Sequence, residues 1–190
     1  MEAFLVSLTS VATAEMGDRT QLLALVLAAR FRRPWPIVAG VLVATLANHI
    51  VAGLIGALVG RQLTPALLDA AVGVSMIAMA LWTLKPDTLD QQASTASNAG
   101  AFVATVIAFF VAEIGDKTQI ATLALAAAYP NLVAVIAGTT SGMLLANTPV
   151  IFLGNAFATR LPLKAIHYTA SVLFALLGVV FIVRAAQLWH

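Results

Sequence analysis

An all-α integral membrane protein, built from six transmembrane helices as two inverted three-helix repeats, is the fold this sequence predicts. Three observations predict it. Of the 190 residues, 61% are hydrophobic and only 9% are charged, against about 25% charged in an ordinary soluble domain. The apolar stretches have the roughly 20-residue length that crosses a bilayer. One polar motif occurs twice, at an offset of 98.

The elements follow in order. Span 1 is expected over about Phe4–Ala29 and stops at Arg30-Phe31-Arg32-Arg33-Pro34. Met1-Glu2-Ala3-Phe4 lacks a basic n-region and the apolar segment is too long for a signal sequence, so the first span is expected to be retained. Span 2 covers about Trp35–Val59, and Arg61 to Pro65 turn the chain into span 3, about Ala66–Leu84. Lys85 to Gly100 is rich in Ser, Thr, Gln and Ala and contains Pro86, which predicts a flexible linker. Span 4 covers about Ala101–Ala128, span 5 about Leu132–Phe157 and span 6 about Ala165–Leu188, with turns at Tyr129-Pro130-Asn131 and at Arg160 to Lys164. The domain organisation is therefore residues 1–84 as the first three-helix repeat, 85–100 as a cytoplasmic linker and 101–190 as the second repeat.

The repeat is internal. Glu15-Met16-Gly17-Asp18-Arg19-Thr20-Gln21 matches Glu113-Ile114-Gly115-Asp116-Lys117-Thr118-Gln119, Ala39-Gly40 matches Ala137-Gly138, and Ala47-Asn48 matches Ala146-Asn147 one residue out of step. Three spans per copy is an odd number, so the second copy enters the membrane from the opposite side. Secondary transporters are commonly built this way, with sites at the repeat interface near the midplane. Arg30, Arg32, Arg33, Lys85, Arg160 and Lys164 fall on one side, and Arg61 and Arg184 on the other. The positive-inside rule then puts the linker in the cytoplasm and both termini outside.

The chemistry lies in the motif. Glu15 and Glu113 fall near the middle of spans 1 and 4. A carboxylate there costs roughly 2.5–3.5 kcal/mol, so four cost about 10–14 kcal/mol, more than structure alone requires. Glu15 and Asp18, three apart, share a face if the helix is continuous. Gly17 and Gly115 allow the backbone to loosen and free its carbonyls. Brought together, the two motifs offer Glu15, Asp18, Glu113 and Asp116 as cation ligands. Asn48, Asn147, Gln21, Gln119, Thr20 and Thr118 are possible further ligands or path-lining groups, and Arg19 and Lys117 balance charge. Asn48 and Asn147 serve equally as hydrogen-bonded helix contacts. His49, whose counterpart is Thr148, is expected to be a satisfied core histidine rather than a proton carrier. Gly56-x-x-x-Gly60 and Gly138-x-x-x-Gly142 predict close helix packing, and Trp35, Trp82 and Trp189 predict interface anchors. The absence of cysteine removes thiolate sites. All-oxygen donors suit Mn²⁺, Ca²⁺ or Mg²⁺.

With its doubled E-x-G-D-[KR]-[ST] motif in the first span of each half, the sequence resembles the Golgi-type Mn²⁺/Ca²⁺:H⁺ exchangers, formerly uncharacterised protein family 0016. The resemblance covers the whole chain and includes the Ala-Asn pairs of spans 2 and 5. It implies that the four acids bind the cation and cycle protons, that the activity is cation/proton antiport, and that this is a bacterial inner-membrane manganese exporter. Expected partners are lipid, divalent cations and protons, with no nucleic acid. No permanently bound cofactor is expected, only the transported Mn²⁺ or Ca²⁺. No P-loop is present, and the protein is expected not to be an enzyme. A passive divalent-cation channel and an intramembrane metal-dependent hydrolase are the alternatives. The first lacks a need for inverted repeats, and the second lacks an evident nucleophile.

Overall fold

The computed structural model describes residues 1–84, 100–154 and 163–188, and every regular element among them is helical. In chain order these are α1 (Glu2–Glu15), α2 (Arg19–Phe31), α3 (Pro34–Gln62), α4 (Pro65–Thr83), α5 (Ala101–Glu113), α6 (Lys117–Ala128), α7 (Leu132–Leu153) and α8 (Leu163–Leu188). The order short, short, long, long occurs twice. Four helices are long and apolar enough to cross a membrane: α3, α4, α7 and α8 over His167–Leu188.

Local chemistry explains the boundaries. Pro34 and Pro65 open α3 and α4, where a missing N–H costs nothing and the fixed φ suits a first turn. Arg32 closes α2 in the left-handed conformation, its N–H bonded to Ala28 O. Asn131 caps α7 by accepting from Ala134 N at 3.0 Å. Spans 2, 3 and 6 thus appear as α3, α4 and α8, and span 5 as α7 up to Leu153. The stretches expected as continuous spans 1 and 4 are each two helices, broken at the motif. Of the expected linker only Gly100 is among the described residues; Lys85, Pro86, Arg160 and Trp189 lie outside them.

Polarity is distributed inside out. Along α3, Val43, Leu46, Ile50, Val51, Leu54 and Leu58 are exposed, while Thr45, Asn48 and His49 are buried. A continuous apolar surface of this kind is what lipid covers and water does not. Helices meet through small residues. A Cβ on Gly142 would lie 2.6 Å from Leu8 O, so α7 lies directly on α1. A Cβ on Gly60 would lie 2.7 Å from Ala127 O, and one on Gly56 would collide with Leu123 O, which seats α3 on α6. Both G-x-x-x-G expectations are met, each against the motif-bearing helices of the other half. The long helices α4 and α8 pair with one another, with Gly73 and Gly178 at their contact.

Candidate metal centre

Both motifs fold into the same break. Gly17 and Gly115 have φ of 82° and 73°, a region open to glycine and strained for other residues. Asp18 N bonds to Glu15 O, and Asp116 N to Glu113 O, both at 3.1 Å. Each aspartate then caps the following helix. Asp18 accepts from Arg19 N at 2.8 Å, and Asp116 from Thr118 N at 3.4 Å. The expected shared helical face of Glu15 and Asp18 is therefore corrected. The helix ends between them, and each aspartate begins the next helix.

All four acids are buried. Glu15, Glu113 and Asp116 each present an oxygen within 4.8 Å of the others. Metal–oxygen distances of about 2.1–2.6 Å separate oxygens on opposite sides of one ion by about 4–5 Å, so the spacing fits a divalent cation. Asp18 is directed to Lys117, whose Nζ lies 3.0 Å from Asp18 Oδ1. Arg19 Nη2 lies 2.9 Å from Asp116 Oδ1 and donates to Ala112 O at 2.8 Å. The two expected charge-balancing residues thus cross over, each neutralising the aspartate of the other motif.

The remaining polar residues separate into distinct roles. Gln21 Oε1 accepts from Gly17 N at 2.9 Å and Gln119 Oε1 from Gly115 N at 2.8 Å. Their amides reach the opposite half: Gln21 Nε2 donates to Ala146 O at 2.9 Å, and Gln119 Nε2 to Asn48 Oδ1 at 3.5 Å. The glutamines brace the breaks, with their oxygens already accepting. Thr118 Oγ1 donates to Glu113 Oε2 at 2.9 Å. Thr20 is fully buried and its hydroxyl has no partner among the described residues. Asn48 Nδ2 donates to Phe110 O at 3.2 Å and Asn147 Nδ2 to Met143 O at 3.1 Å.

His49 corrects a second expectation. It is fully buried, and neither ring nitrogen has a hydrogen-bond partner among the described residues, so it is not a satisfied core histidine. Three features carried no signal in the sequence. The carbonyls of Ala112 and Ala146 are backbone acceptors that no side-chain pattern announces. At the end of the bundle holding the start of α1, Tyr129 donates to Glu2 Oε1 at 3.2 Å and Arg184 Nε stands 3.4 Å from Asp69 Oδ2. A cavity of about 560 Å³, lined by residues including Leu25, Arg32, Pro34 and Phe152, opens where α2, α3 and α7 meet, and none of the four acids lines it.

Comparison with known proteins adds an independent finding. A family model described as "Divalent cation/proton antiporter GDT1" matches residues 3–91 and 101–189. A Vibrio cholerae protein named "Putative manganese exporter" is 49% identical over 179 residues, 94% of this chain and 89% of that protein. A GDT1-like protein of Synechocystis is 30% identical over 200 residues, 95% of this chain and 96% of its own length. No solved structure matches the chain.

Proposed function

The chain belongs to the GDT1 family of divalent cation/proton antiporters, and from that membership we propose that it exports Mn²⁺ from the cytoplasm in exchange for protons, with Ca²⁺ as a second substrate. It is an integral membrane protein, and its Vibrio relative is named as an exporter. In this reading six spans form two inverted repeats, residues 1–84 and 101–190, joined by a cytoplasmic linker at 85–100. The membrane is the bacterial inner membrane, both termini face outward, and no reaction is catalysed.

The observation that carries the reading is the convergence of Glu15, from the first motif, with Glu113 and Asp116, from the second, within 4.8 Å. Neither half supplies such a cluster alone. Asp18 completes the acid set while pairing with Lys117. All four acids act as the cation and proton site, Arg19 and Lys117 balance charge, and Thr20, Thr118, Asn48 and Asn147 line it. The repeated order of short and long helices supports the two-repeat arrangement, and the name of the Vibrio relative supports manganese.

Flux in proteoliposomes tests this. Mn²⁺, Ca²⁺ and Mg²⁺ are compared under a fixed pH gradient, with internal pH recorded. Saturable Mn²⁺ uptake with opposing proton movement is expected, and Glu15→Gln and Glu113→Gln should each abolish it at normal expression. Wild-type flux in both variants would sink the shared carboxylate site. Unsaturable flux without proton movement would favour a passive channel.

A further inference from the structure

Aligning the two motifs gives each polar group a counterpart in the other half, and the counterparts differ in how they are bonded. On the second-motif side, Thr118 donates to Glu113 Oε2 at 2.9 Å. Asn48 Oδ1 receives the amide of Gln119 at 3.5 Å, so of these acceptors only Glu113 Oε1 stays open. On the first-motif side the same positions are empty-handed. Both carboxylate oxygens of Glu15, the hydroxyl of Thr20 and Oδ1 of Asn147 have no partner among the described residues. All three residues are fully buried. Gln21 gives its amide to Ala146 O, one residue short of Asn147, the counterpart of the asparagine that Gln119 engages.

Asn147 is placed at the level of Glu15 by helix register. Gly138 lies against Phe4 and Ser7, and Gly142 against Leu8 and Ala12, so α1 and α7 advance in the same direction, four residues with four. One more such step brings Ala146 and Asn147 beside the end of α1, where Glu15 sits. The bond from Gln21 to Ala146 O fixes the same register from α2. The Asn147 amide nitrogen is turned back to Met143 O in its own helix, which leaves the oxygen as the free end. Buried oxygens without donors are costly, and a cation relieves that cost for a carboxylate, an amide oxygen and a hydroxyl together.

We propose that the two halves of the site are inequivalent: Glu15, Thr20 and Asn147 form the side that receives the divalent cation, with Asn147 Oδ1 as a ligand. Thr118, Gln119 and Asn48 are positioning residues that hold the second side in place. This deepens the reading of the acid cluster as the cation site and rests on it.

Mn²⁺ titrated calorimetrically into the full-length protein in nanodiscs tests the proposal, with transport kinetics on the same variants. Asn147→Ala should weaken Mn²⁺ binding tenfold or more and Thr20→Val threefold or more. Asn48→Ala and Thr118→Val should weaken it less than threefold, and lower the maximal transport rate instead. Asn147→Asp keeps an oxygen in place and should bind no more than threefold more weakly than the parent, which separates ligand loss from collapse of α7. Equal weakening by Asn48→Ala and Asn147→Ala, or a larger effect at Asn48, overturns the inequivalence. Unchanged Mn²⁺ binding in Glu15→Gln is a different failure, because it removes the acid site itself.

Discussion

Lys117 Nζ lies 3.0 Å from Asp18 Oδ1, and both side chains are shut away from the surface, at 2% and 0% exposure. The equivalent pair, Arg19 with Asp116, has the same reach but leaves the arginine 34% exposed. Burial separates the two energetically. An ion pair out of reach of water is expensive to break on one side only, because the survivor keeps its charge without a partner.

Asp18→Asn, which keeps the helix cap, should therefore destabilise the protein by about 3–5 kcal/mol because it strands the buried Lys117, and Asp116→Asn by clearly less, since a third of the stranded Arg19 side chain is exposed. Adding Lys117→Met to Asp18→Asn should recover most of the loss, because it removes the stranded charge. Thermal unfolding in detergent reads all three. Equal losses for the two single variants would contradict the assignment of Lys117 as the buried partner.

Two glycines should respond differently to the same substitutions. Gly115 has positive φ and open space around a would-be Cβ, so Gly115→Ala carries only the conformational cost of about 1–2 kcal/mol, and Gly115→Asn less, since asparagine tolerates that region. At Gly142 the obstacle is the carbonyl of Leu8. Alanine there should cost about 1–3 kcal/mol through forced displacement, and asparagine more. The order of Ala and Asn therefore inverts between the sites, and unfolding midpoints check it.

Topology is tested with reporters. One fused after His190 should read extracytoplasmic, and one inserted within residues 94–98 should read cytoplasmic. Both on one side would exclude three spans in the second half.

Exchange of one divalent cation for two protons should move no net charge. Four carboxylates with Arg19 and Lys117 leave two negative charges, and both cations contact the aspartates of the cluster. One divalent ion or two protons cancel that remainder, which a low-dielectric interior does not leave bare. A membrane potential, worth about 2.3 kcal/mol per charge per 100 mV, should then leave Mn²⁺ flux unaltered at a fixed pH gradient. Steep voltage dependence would refute the electroneutral cycle.

Much of this was legible in the sequence for a simple reason. The motif acids sit where apolar residues should be, and they do so twice, so Glu15, Asp18, Glu113 and Asp116 stood out before any contact was known. Gly17 and Gly115 hinted at loosened backbone, but a glycine marks where a helix can break without saying that it does. The crossing of Arg19 and Lys117 was hidden because each sits beside an aspartate of its own motif, and adjacency in sequence suggests the wrong partner. Gln21 and Gln119 carry oxygens a metal would accept; only the position of the Gly17 and Gly115 amides shows those oxygens accepting from the backbone. His49 defeated its expectation because composition cannot report what surrounds a buried ring.

The small-residue contacts have a mechanical consequence. Gly138 and Gly142 seat α7 on α1, while Gly56 and Gly60 seat α3 on α6 and Gly40 sets it against α5. The long helices α3 and α7 are thus riveted to the broken helices of the opposite repeat, with backbone against side chain or backbone and no slack between. The tightest seats are then α7 with α1, and α3 with α5 and α6. A rearrangement that kept these contacts would divide the protein across the sequence repeats, so the pieces that moved would not be the pieces that were duplicated.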